Sequence, residues 1–116
     1  MNEVVAPLPP VINVEPEKAL ELVQAGASLV DVRTPAEVAE GTLPGASAVN
    51  AHDVDAIVLS GDIGQYFGPD PMHPLVLFCK SGRRSGFVAE ILRQQGYQAV
   101  YNAGGYEDLI GTFVKP

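Results

Sequence analysis

The sequence predicts an α/β protein: a small parallel, or mostly parallel, β-sheet of about five strands with helices on both faces. Two observations carry this expectation. Leu29-Val30 and Leu75-Val76-Leu77-Phe78 are apolar without polar alternation, as strands buried on both faces are. Segments whose apolar residues recur at helical spacing lie between such runs, so strands and helices alternate along the chain.

The elements follow in order. Residues 1–10 contain Pro7, Pro9 and Pro10 and lack the basic start of a secretory signal. They are expected to form an extended lead-in to one domain, residues 11–116. Val11-Ile12-Asn13-Val14 reads as a short edge strand. Pro16 suits a first helical turn, Ala19, Leu20, Leu22 and Val23 give that helix an apolar face, and Gly26 ends it. Ser28-Leu29-Val30-Asp31-Val32 is a buried strand. Thr34-Pro35-Ala36-Glu37 is a capping box with proline at the first helical position. Gly41 and Pro44-Gly45 mark turns, and Ala46-Ser47-Ala48-Val49-Asn50 is the next strand. Residues 53–59 suggest a short helix. Residues 61–74, rich in Gly, Asp and Pro, read as loop. Leu75 to Phe78 is the central strand. Phe87, Val88, Ile91 and Leu92 then recur at helical spacing before Gly96. Gln98-Ala99-Val100-Tyr101 reads as a strand, and Tyr106, Leu109, Ile110 and Phe113 as a last amphipathic helix.

The 116 residues suffice for one core without staples. A formal net charge of −7 argues against nucleic acid and anionic membrane surfaces as partners. No apolar run approaches the ~20 residues of a membrane span. A single cysteine excludes an internal disulfide, so a reducing compartment, the cytoplasm, is the expected location.

That cysteine, Cys79, sits where the central strand gives way to a polar loop and then a helix. In parallel sheets ligands bind beyond such strand ends. Lys80, Arg83 and Arg84 are three of the seven Lys and Arg residues, gathered beside the lone thiol of an acidic chain. Cations and the N–H groups of a helix start both favour the thiolate, the nucleophilic form. Gly82 lets the backbone turn inward. Ser81 lies in the same loop, and Ser85 is placed to cap the helix or to donate to the sulfur. Asp31-Val32-Arg33 and Asn102-Ala103-Gly104 follow strands, so they are expected to rim the same crevice.

Cys79-Lys80-Ser81-Gly82-Arg83-Arg84-Ser85 resembles the active-site loop of the rhodanese-like sulfurtransferase family. Leu29 to Glu37 with Gly41 and Pro44-Gly45-Ala46 resembles the family's upstream segment, and Asn102-Ala103-Gly104-Gly105-Tyr106 its downstream one. The likeness covers most of residues 11–113. It departs at Thr42, where the family often has histidine, and residues 52–72 lack a clear counterpart.

The resemblance implies a rhodanese-like fold and a double displacement. Cys79 would take a sulfane sulfur from a small anionic donor such as thiosulfate and pass it to a thiol or cyanide. Lys80, Ser81, Gly82, Arg83, Arg84 and Ser85 would bind the donor. The strand-end position of Asp31 and Arg33, rather than the resemblance, makes them candidates to support the loop from behind. A second reading keeps the fold but makes the chain a persulfide carrier or regulatory module with a protein donor or acceptor. A third is a cysteine phosphatase or arsenate reductase. That family places arginine six positions after the nucleophile, where Ser85 stands here.

Blander roles stand beside these. Asp31 and Arg33 commonly tie loops together at strand ends, Glu37 is a capping residue first, and Tyr106 belongs to the core before any pocket wall. His52 and His73 have no metal-ligand spacing, so neither a metal nor a cofactor is expected.

Overall fold

The structure, a computed structural model, describes residues 8–114. Most of the expected lead-in thus lies outside the described residues. The strands are β1 (Ile12–Asn13), β2 (Ser28–Asp31), β3 (Ser47–Ala48), β4 (Leu75–Cys79) and β5 (Val100–Gly105). The helices are α1 (Pro16–Gln24), α2 (Pro35–Ala39), α3 (Val54–Ser60), α4 (Ile63–Phe67), α5 (Arg83–Gln94) and α6 (Tyr106–Phe113). A 3-10 turn at Ala51–Asp53 leads into α3. All strand pairs are parallel, in the order β1-β5-β4-β2-β3.

Strand β4 is buried at every position because sheet lies on both sides of it and helices above and below. Its side chains alternate between two cores. Leu75, Leu77 and Cys79 face one with Val30, Val54, Phe67, Val88 and Leu92, beneath α3, α4 and α5. Val76 and Phe78 face the other with Ala19, Leu29, Ala103 and Leu109, against α1 and α6. No helix among the described residues is long and apolar enough to cross a membrane.

The capping box at Thr34 is formed: Glu37 N–H donates to Thr34 Oγ1 at 3.3 Å, and Thr34 N–H donates to Glu37 Oε1 at 3.0 Å. Two expectations need correction. Residues 61–74 are not all loop, because α4 occupies Ile63–Phe67. The helix is short and flanked by glycines, so no periodicity announces it. Burial of Phe67 and packing of Ile63 against the same core hold it there. The last strand runs from Val100 to Gly105 rather than from 98 to 101. Leu77 stands opposite Asn102 but Cys79 opposite Gly105, so β5 carries one extra residue across a bulge. Two consecutive glycines are poor strand formers, and only pairing to β4 draws them into the sheet.

Candidate active site

Cys79 ends β4 on the face covered by α5. Gly82, φ +91°, then turns the chain into that helix. Side chains alternate along strands, so Cys79 of β4 and Asn102 of β5 both point toward α5, where Ser85 lies in the first turn. Local sequence spacing and sheet register thus bring three distant residues together.

Cys79 Sγ is fully buried within this turn. Gly82 N–H donates to it at 3.0 Å and Ser85 Oγ at 3.4 Å. Burial pushes the thiol up. Hydrogen bonds from the Ser85 hydroxyl and from the backbone N–H groups of Ser85, Ser81 and Gly82 act the other way and win, leaving it below the ordinary thiol value. The arrangement favours a thiolate with no histidine base beside it.

The three loop cations have different fates. Arg84 is clasped by Glu37 in a two-point pair, Nη1 to Oε1 at 2.7 Å and Nη2 to Oε2 at 3.0 Å. Lys80 is exposed at a polar cleft of about 330 Å³ with Arg33, Glu40, Tyr106 and Glu107. Arg83 is exposed at a second cleft of about 390 Å³ with His52, Asp55 and Phe87. Ser81 is exposed as well. A larger cavity of about 720 Å³ lies between α2, β3, α3 and α4, and no residue of the 79–85 loop lines it.

Asp31 and Arg33 belong to the opposite sheet face. Both are buried and pair to each other, Arg33 Nη2 to Asp31 Oδ2 at 2.7 Å. Arg33 also donates to Gly41 O at 2.6 Å and stands 4.2 Å from the Tyr106 ring centroid. Thr42 Oγ1 donates to Asp31 Oδ2 at 2.8 Å. Hydrogen bonds from this pair therefore fasten the turn after α2, and among the described residues none reaches the 79–85 loop. Tyr106 packs beside Phe78 at 6.3 Å between centroids and also walls the Lys80 cleft, so it fills both of its expected places.

Sequence reasoning missed the second task of Glu37, which pairs with Arg84 while capping α2. The Arg–Glu separation of 47 residues carries no local signal. Among the described residues no cluster of three or more metal-ligating side chains occurs.

Known proteins share this fold. The family profile described as rhodanese-like domain matches residues 15–111. A thiosulfate sulfurtransferase GlpE of Stutzerimonas stutzeri is 32% identical over 82% of this chain and 81% of its own length. The protein of the same name from Pseudomonas aeruginosa strain LESB58 is 33% identical over 82% and 80%. Among solved structures, the human single-domain sulfurtransferase TSTD1 superposes with a TM-score of 0.67 at 29% identity, covering 87% of this chain and 95% of its own.

Proposed function

The chain belongs to the rhodanese-like domain family and is an enzyme of the sulfurtransferase class, and from that premise we propose how it works. The Cys79 thiolate attacks the outer sulfur of thiosulfate. A new S–S bond forms, the thiosulfate S–S bond breaks, and sulfite leaves with its electron pair. A thiolate or cyanide then attacks the terminal persulfide sulfur, taking it away as an acceptor persulfide or thiocyanate and restoring the Cys79 thiolate. The observation that carries this reading is the sulfur cradle: Gly82 N–H and the Ser85 hydroxyl both aimed at Cys79 Sγ. Such donors stabilise negative charge on sulfur as an oxyanion hole does on oxygen.

Lys80 and Arg83, exposed on the two sides of the loop, receive the anionic donor and the departing sulfite. Arg84 is already neutralised by Glu37 and holds the loop to α2 instead. Asp31 and Arg33 hold the turn that follows α2, from the other face of the sheet. The absence of arginine at position 85 disfavours the phosphatase reading. One observation favours the carrier reading as a second possibility: Phe87, 62% exposed next to Arg83, offers an aromatic contact to a protein partner.

The test is the intact mass after brief exposure to thiosulfate. Cys79 is expected to gain one sulfur atom that cyanide or a thiol removes, and Cys79→Ser is expected to fold, gain nothing and lose transfer. An unmodified but alkylatable thiol in the unsubstituted protein would reject thiosulfate as donor. Rapid loading from a protein persulfide would then support the carrier reading.

A further inference from the structure

We propose that Asn102 is a positioning residue for sulfur transfer: its amide holds Gly82 and Ser85 so that both donors face Cys79 Sγ. The inference rests on the sulfurtransferase reading and extends it to a residue whose side-chain hydrogen bonds go to Gly82, Ser85 and Gly104 rather than to the sulfur.

The geometry is a clasp closed on both sides of the sulfur. Asn102 Nδ2 donates to Gly82 O at 2.9 Å, while the N–H of the same glycine donates to Cys79 Sγ at 3.0 Å. Asn102 Oδ1 accepts from Ser85 Oγ at 2.8 Å and from Gly104 N–H at 3.1 Å. One side chain therefore grips two of the residues that donate to Sγ, Gly82 and Ser85. The amide cannot turn over without penalty. Turned over, its NH2 would face the Gly104 N–H and its oxygen the Gly82 carbonyl, leaving like groups opposed.

Gly82 needs such a grip. It adopts φ +91°, a conformation that glycine reaches but does not hold by itself. A Cβ there would lie 3.1 Å from Gly104 Cα, so the turn and the β5 bulge are packed against each other. The bulge supplies the second grip, because its Gly104 N–H fixes which oxygen Asn102 turns toward Ser85.

The Ser85 hydroxyl carries one proton and has two acceptors, Asn102 Oδ1 and Cys79 Sγ. Beside a neutral thiol the hydroxyl donates to the amide oxygen, the better acceptor. Beside a thiolate or a persulfide anion the charged sulfur competes for it, and a small hydroxyl rotation delivers the bond. A neutral amide suits this exchange. A carboxylate in the same place would keep the hydroxyl's hydrogen bond and oppose the charge on sulfur.

The experiment uses the full chain, whose single cysteine makes iodoacetamide alkylation a clean reading of Cys79. Rates are measured against pH for the unsubstituted protein, Asn102→Ala and Asn102→Asp, with circular dichroism to establish folding. The titration midpoint should rise in Asn102→Ala and further in Asn102→Asp. A rise of about one unit slows alkylation about tenfold at pH values below the midpoint. Thiosulfate kcat should fall in the same order while KM changes less than kcat. Asn102→Asp preserves side-chain volume and carries the test if Asn102→Ala does not fold. Unchanged or lowered midpoints in a folded variant would overturn the proposal, whatever happened to the melting temperature. Failure of the unsubstituted protein to load sulfur would instead count against sulfur transfer, and the midpoints would still decide what Asn102 does.

Discussion

Glu37 holds two jobs with one carboxylate. It accepts from Thr34 N–H to close the α2 capping box and clasps Arg84 at the start of α5. The Arg84 pair, then the Thr34 N–H, brings its carboxyl down from the ordinary 4.5 to about 2. A depressed carboxylate stabilises the fold above its unfolded value, and that contribution is lost as the pH falls from about 4.5 through about 2. Both side chains remain 28% exposed, so solvent screens much of the effect. Glu37→Gln is expected to cost about 1 kcal/mol at neutral pH. Urea unfolding at a series of pH values checks this: the gap between the two proteins should narrow toward pH 2. A constant gap would mean that the ion pair contributes nothing and that only packing was lost.

The turn between β4 and α5 is shaped by the strand beside it as much as by its own residues. Gly105 stands opposite Cys79, and a Cβ there would come 2.5 Å from Lys80 O and 3.5 Å from Ser81 Cα. Those atoms are backbone and cannot swing aside. Gly105→Ala should therefore part β5 from the loop, costing about 1–3 kcal/mol as overpacked positions do. It should also slow sulfur loading. Gly111→Ala on α6 is the control, because nothing lies within 4 Å of the added carbon. That helix position should gain up to about 1 kcal/mol, with loading unchanged. Thermal melts and the loading rate measured together separate the two effects. Equal behaviour of the two variants would show that the close approach at Gly105 does not shape the turn.

The molecule has two cores divided by one sheet, and Cys79 belongs to the α5-side core while Phe78 belongs to the other. Adjacent residues of β4 anchor opposite cores, so neither can loosen alone. Leu77 is fully buried, and Leu77→Ala should cost about 2–5 kcal/mol through lost burial and the space left behind. Unfolding should remain a single transition. Far-UV circular dichroism and tyrosine fluorescence are expected to give the same midpoint, since Tyr97 reports the α5-side core and Tyr106 the other. Separated midpoints would show two independent cores. Charge also acts at this scale. In a chain of net charge −7, Lys80 and Arg83 are exposed cations of the 79–85 loop, and in the proposed mechanism they offset the repelling field that an anionic donor meets.

The sequence by itself determined what lies close along the chain. Unbroken apolar runs specified the buried strands, the Thr34–Glu37 box began α2, and the Cys79–Ser85 loop announced both thiol and family. These features rest on local periodicity, capping and backbone turns, which a few neighbouring residues set. Tertiary structure alone decided which loop cation was already paired, that Asp31 and Arg33 serve the opposite face, and where Asn102 reaches. Sheet packing drew α4 out of a Gly-rich stretch and pulled Asn102 to Gly105 into β5. The reason is physical: partners separated by 17 or 47 residues, Ser85–Asn102 and Glu37–Arg84, meet only once strand register and helix packing are fixed.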